Sequence, residues 1–269
     1  NPPRPAHPPV PDVGDLSEVL LETDVVSYLK KMVMSDPLSF WNNINRAMTV
    51  NGVPERDQRY LKDWAELHIG PNQDVSQAED NEQAGLAKAV FDGIMIMRAH
   101  ATPEENKVNG WGVPPVGFGR SGVHGNFYIR GAIQSMRGIV ANDAEEAMYM
   151  ARAKDQNGDS ITSEHTYELH FPSGQTPPAR YFWSLTVYDQ DANLMLNDYD
   201  RYAISGNSED LIYEDDGSLR ILIGGKPPEG MAGNWLPAGE SFTRVNLRVY
   251  GPEKAMIERT WKPPQLKRL

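Results

Sequence analysis

The chain has 269 residues, a formal charge of −11 and no cysteine. That length supports a core without crosslinks, and the missing thiols exclude disulfides, thiolate metal sites and cysteine nucleophiles. An isoelectric point near 5.0 argues against a nucleic-acid partner, whose affinity rests on phosphate neutralisation by Lys and Arg. No run reaches the roughly 18 apolar residues a membrane-spanning helix needs.

Residues 1–22, opening NPPRPAHPPVPDVGD, are too rich in proline to fold alone. Their start fits either signal-peptide removal or simple trimming, and the first reading predicts an exported or periplasmic protein. A helical segment is predicted over 23–107. Thr23 or Asp24 caps a first helix striped by Val25, Val26, Leu29, Met32 and Val33. Asp36–Pro37, a cap followed by proline at the first helical position, opens a second that carries Phe40, Trp41, Ile44 and Met48 and stops at Asn51–Gly52. A third runs from about Pro54 to His68 with Tyr60, Leu61, Trp64 and Leu67 as its apolar stripe. A fourth, from about Gln77 to His100, presents Leu86, Val90, Ile94 and Met97 on one side. The short connections predict neighbours in one layer.

From Asn109 glycine and proline crowd the chain (NGWGVPPVGFGRSGVHG), which reads as a loop. It lacks both the Lys-Ser/Thr of a phosphate loop and a preceding strand. A helix is predicted over Phe127–Val140. Strands follow at 143–153, Tyr167–Phe171, Tyr181–Tyr188, Leu219–Ile223 and Thr243–Tyr250, separated by Gly, Asp and Asn turns without intervening helices. That texture predicts a sandwich or jelly roll. The fold class is therefore α+β: a C-terminal antiparallel, jelly-roll-like β-sandwich over 108–269, with the N-terminal helical segment packed against it.

Five motifs occur in order: FPSGQTPPARYFWSLTVYD, NDYDRYAIS, DGSLRILIG, GNWLPAGESFTRVNLRVYGP and the terminal WKPP. Together they resemble the bacterial domain-of-unknown-function family 1214, often the C-terminal partner of domain family 1254. The full family-1254 domain has no counterpart in this chain. The resemblance implies a jelly-roll-like β domain and often accompanies export. It brings no agreed activity and no catalytic residue.

The chemistry must therefore be sought residue by residue. On the last long strand, Val245, Leu247 and Val249 suit a core face. Arg244, Asn246, Arg248 and Tyr250 then share the other, where two guanidiniums with an amide and a phenol suit a carboxylate, sulfate or sugar. An ordinary solvent-facing strand is the competing reading. Arg201 and Tyr202 could anchor a ligand or pair internally with nearby carboxylates. Trp183 and Trp235 could be core aromatics, or Trp235 a stacking surface for a sugar ring. His165 is the better acid–base histidine because it shares the Tyr167 side of its strand. Glu146 is a candidate base oriented by Arg130, and Arg130 and the neighbouring Tyr149 are themselves candidate ligand-binding residues, Arg130 anchoring the ligand with Arg201 and Arg248.

DQNGD at 155–159 reads as a hairpin turn rather than a calcium loop. The acids Glu209, Asp210, Glu214, Asp215 and Asp216 read as a solvated rim. No HExxH motif or cluster of histidines suggests a metal, and no cofactor is predicted. The expected activity is binding of a polar small-molecule or glycan-like ligand in a groove, with metal-independent acid–base chemistry of hydrolase or lyase type. The rival is a non-catalytic binding or assembly module working with a partner protein or a second copy of the chain.

Overall fold

The computed structural model describes residues 35–101, 107–114, 133–134, 142–189 and 192–269. The first predicted helix, most of the predicted helix at 127–140 and Arg130 lie outside them. The chain divides into two compact units, Asn1–Gly93 and Ile94–Leu269.

In the first unit, α1 spans Pro37–Asn51. Asp36 caps it, its carboxylate accepting from Ser39 N at 3.2 Å, and Gly52 ends it at φ 72°, as the Asp-Pro and Asn-Gly pairs predict. A short 3₁₀ turn leads into α2, Gln58–Ala65. Here the expected burial fails, since Tyr60, Trp64 and Leu67 are exposed. The physical reason is local: Tyr60 and Trp64 stack on each other at 5.6 Å, and Arg59 lies over the Tyr60 ring. These rings shield one another without joining a core. Helix α3 spans Asp80–Ala101.

Ile69, Val75 and Leu86 form a small apolar cluster with Leu38, Trp41 and Met48 packed on it. Buried Asn45 organises the loop beside this cluster. Its carbonyl accepts from Gly70 N at 2.8 Å, and its amide donates to His68 O and Gln73 O. One side chain thus satisfies three backbone groups that a helix or sheet would otherwise have paired.

Among its described residues the second unit holds ten short strands: β1 Lys107–Val108, β2 Trp111–Gly112, β3 Ala147–Arg152, β4 Tyr167–Phe171, β5 Ala179–Tyr188, β6 Ala203–Ser205, β7 Leu219–Ile223, β8 Trp235–Leu236, β9 Arg244–Pro252 and β10 Lys267–Arg268. A six-stranded sheet runs β1-β2-β3-β9-β5-β6 and a four-stranded sheet runs β10-β4-β7-β8. Pairing is antiparallel except for β7 with β8, which is parallel, so a purely antiparallel reading needs that correction.

The inner faces of both sheets contribute to one apolar interior. Leu185, Ile204, Leu247 and Val249 come from the first sheet; Leu169, Phe171, Ile221 and Leu236 come from the second. Alternation drives this: β4 and β7 bury every second residue, as a sheet with one covered face requires.

The start of the predicted loop is a strand pair. Asn109 and Gly110, both at positive φ (52° and 83°), turn β1 into β2. This is the geometry for which Asn-Gly is favoured, because it matches the twist of a hairpin. The C-terminal segment closes the unit. Trp111, fully buried, donates from its indole to Pro264 O at 2.8 Å, Asn109 donates to Pro263 O at 2.7 Å, and β10 pairs with β4. Arg152, 4% exposed, gathers Asn109 O, Lys154 O, Asp155 O and the Gln265 amide oxygen. Among the described residues no helix is long and apolar enough to cross a membrane.

Candidate ligand site on the six-stranded sheet

Strand β9 alternates as its sequence predicts. Val245, Leu247 and Val249 are fully buried, and Arg244, Asn246, Arg248 and Tyr250 turn to the opposite face. Register brings neighbours to that face from both sides. Tyr149 of β3 lies opposite Arg248, and β5 sets Phe182, Ser184, Thr186 and Tyr188 opposite Tyr250, Arg248, Asn246 and Arg244. Directly opposed side chains on one face of a sheet are in contact range.

The contacts follow. Arg248 donates from Nη1 to Thr186 Oγ1 at 3.0 Å and from Nη2 to the Tyr188 hydroxyl. The Tyr188 ring receives both guanidiniums, Arg244 at 5.5 Å and Arg248 at 5.3 Å. Tyr250 stacks on Phe182 at 4.6 Å and meets Tyr149 edge to face at 6.4 Å. Asn142 donates from its amide to the Tyr149 hydroxyl at 2.9 Å.

Charge is unbalanced on this face. No carboxylate among the described residues lies within ion-pairing distance of Arg244 or Arg248. Arg244 Nε and Asn246 Oδ1 are buried without a hydrogen-bond partner. Burial lowers the Arg244 pKa and the nearby Arg248 charge adds to the fall, while Tyr188 and Asp189 oppose it. Arginine nevertheless stays protonated. Burial likewise raises the Tyr149 pKa, reinforced by Tyr250 and by the Glu146 carboxylate and opposed by Asn142 and Arg248. The phenol is therefore a neutral hydrogen-bond donor at neutral pH.

Six of the predicted residues are thus brought together: Tyr149, Arg244, Asn246, Arg248 and Tyr250 on the sheet face, with Glu146, exposed, close enough for its charge to act on Tyr149. His165, Arg201, Tyr202 and Trp235 are placed elsewhere. His165 precedes β4 of the other sheet and meets Tyr167 edge to face at 6.4 Å, so it is not paired with Glu146. Arg201 donates to Asp210 Oδ2 at 2.8 Å and to Gly233 O. The pairing is intramolecular, though not with the adjacent Asp198 or Asp200. Neighbouring Tyr202 is half-buried. Trp235 is buried, its indole donating to Gly224 O at 2.8 Å with the Tyr199 ring against its edge, so it offers no exposed stacking surface. Thr186, Tyr188 and Asn142 were not foreseen; their relevance depends on strand register, which no local motif encodes.

The four-stranded sheet carries its own open cleft of about 550 Å³, lined by Glu168, His170, Glu214, Asp215, Asp216 and Arg220. Part of the acidic rim therefore faces a concavity. Its charges are partly answered from within, since Arg220 Nη2 lies 3.1 Å from Glu214. Hydrogen bonds from Ser218 hold the Asp216 carboxyl below its usual pKa. No group of three or more metal-ligating side chains occurs among the described residues. The 155–159 turn is held by its own backbone, with Asp155 Oδ1 accepting from Asn157 N and Asp159 N.

Residues 146–254 match the family DUF1214. Its description is a protein of unknown function, so the match to this segment names no reaction. The DUF1214 segment contains both β3 and β9, and hence most of the sheet face just described. The chain is also similar to the crystal structure of the VPA0106 protein from Vibrio parahaemolyticus, at 20% identity and a TM-score of 0.59, covering 85% of this chain and 55% of that one. At that identity the likeness is one of fold. An uncharacterized protein from Burkholderia cenocepacia aligns at 12% identity and a TM-score of 0.35, covering 91% and 52%, and carries no argument. The chain spans about half the length of these solved structures. Comparison with curated proteins found no match.

Proposed function

We propose that the protein binds a small carboxylate-bearing ligand on the outer face of the six-stranded sheet, with Arg244 and Arg248 supplying the charge. One observation carries this reading: two partly buried guanidiniums share one face, and no carboxylate among the described residues forms an ion pair with either, Asp189 acting on Arg244 only through its charge. Partly buried charge is normally paired, because desolvation is costly without a counter-ion. A planar carboxylate matches the guanidinium fork.

Tyr149 and Tyr250 would contact the rest of the ligand. Glu146 would exchange a proton with it if a reaction follows. The domain is read as jelly-roll-like and the protein as exported; the rival reading is a non-catalytic assembly module that works with a partner domain or subunit. An assembly role is supported by the apolar side chains in the loop after β5, where Leu196 is 89% exposed.

The test is a thermal-shift panel of small carboxylates, phosphate and sulfate at matched ionic strength, against the wild-type protein and Arg248→Met. A ligand of the folded state raises apparent stability by mass action. A carboxylate should stabilise the wild type and lose that effect in the variant. Equal shifts in both proteins would contradict the proposal.

A further inference from the structure

The Tyr149 hydroxyl shows what kind of carboxylate derivative this face can accept. A phenolic O–H lies near the plane of its ring, so the proton has two places to go. The Asn142 amide donates to the oxygen at 2.9 Å and so occupies one of them. No described residue accepts a hydrogen bond from the hydroxyl, and Arg248 stands directly opposite across the β3–β9 ladder. Arg248 itself can only donate, and so can Arg244. Tyr149 and Arg248 thus present donors to one sheet face, with the Arg248 charge near enough to act on the phenol.

We propose that Tyr149 is a specificity-determining residue of this site: positioned by Asn142, it donates its proton to the ligand beside Arg248 and selects a deprotonated carboxylate over the corresponding neutral amide. The inference rests on the anion-binding reading above. An amide substitutes an N–H₂ donor for one acceptor oxygen, which sets donor against donor and removes the charge. A hydrogen bond to an ionised acceptor is also about twice as strong as one between neutral groups. The Glu146 charge also acts on the Tyr149 phenol, but Glu146 is exposed and its repulsion is screened by solvent.

The experiment uses the full chain with tyrosine labelled by ¹³C at Cζ, the Tyr149 signal being assigned by its loss in Tyr149→Phe. Acetate and its uncharged isostere acetamide are titrated at constant ionic strength. Acetate should move the Tyr149 signal to saturation, and acetamide should bind at least about tenfold more weakly. Tyr149→Phe, followed through the Tyr188 and Tyr250 signals, should lose about tenfold in acetate affinity and most of the discrimination. Asn142→Leu should weaken acetate in the same direction while leaving the Tyr149 signal observable. If acetate binds the wild type and Tyr149→Phe equally, Tyr149 has no such role, although the anion site stands. If acetate perturbs no tyrosine on this face, both the inference and the anion-binding reading fall.

Discussion

Arg244 combines two demands that conflict. Its guanidinium is partly desolvated, its Nε lacks a partner, and the Arg248 charge is close by. Such a residue costs stability, and a cost concentrated at a binding face is a common exchange for function. Arg244→Met keeps the volume and removes the charge. Urea unfolding of the ligand-free variant should show unchanged or higher stability, by up to about 1 kcal/mol, together with weakened carboxylate binding. A loss of stability beyond about 2 kcal/mol would show that the charge is structural.

Arg201 is the opposite case, since its donors are spent on Asp210 and Gly233 O. The hydrogen bond from Arg201 is the main reason the Asp210 carboxyl sits below its ordinary value of 3.8. A carboxyl depressed on folding contributes stability that is present above its unfolded pKa and is lost as pH falls through the folded value. Asp210→Asn should therefore flatten the acid limb of the stability–pH curve below about pH 4 and leave its shape near neutrality unchanged. Asp210 is half exposed, so the change should be small. An unaltered acid limb would mean the pair does not persist in solution.

Among the elements, the segments joining β6, β7 and β8 depend on close backbone approach. A Cβ on Gly233 would fall 1.7 Å from Asp210 O, a main-chain atom that cannot turn aside. Gly233→Ala should destabilise the protein by about 3 kcal/mol or more, read by chemical denaturation, and a change below about 1 kcal/mol would contradict this packing.

The β9 face was legible in the sequence because period-two alternation on a strand needs no partner to be seen. The turn at 155–159 was legible for a similar reason: its residues make their own hydrogen bonds. What opposes Arg248 was not legible. The pairing of β3 with β9 joins segments about a hundred residues apart, and no local pattern sets that register. For Arg201 and Trp235 the sequence left two roles open, because nothing local identifies Gly233 O or Gly224 O as the partner across the fold. The Asn109–Gly110 hairpin was hidden by the glycines that follow it.

For the molecule, the C-terminal strap and the charge distribution matter most. The strap from Lys262 to Leu269 is tied to β2, β3 and β4 through Pro263, Pro264, Gln265 and β10, and Leu266 is fully buried. Truncation after Trp261 should lower the midpoint of unfolding sharply or abolish a cooperative transition, and a truncated chain that unfolds at the wild-type temperature would refute that role. The protein as a whole carries −11, yet the face around β9 collects guanidiniums while the four-stranded sheet carries an acidic cleft. A carboxylate should be attracted to the first and repelled by the second.

The most direct measurement is a crystal structure of the full chain grown with a small carboxylate at saturating concentration. Difference density within hydrogen-bond distance of Arg244, Arg248 and the Tyr149 hydroxyl is the predicted result. A clean sheet face with the carboxylate bound elsewhere, or nowhere, would contradict the account.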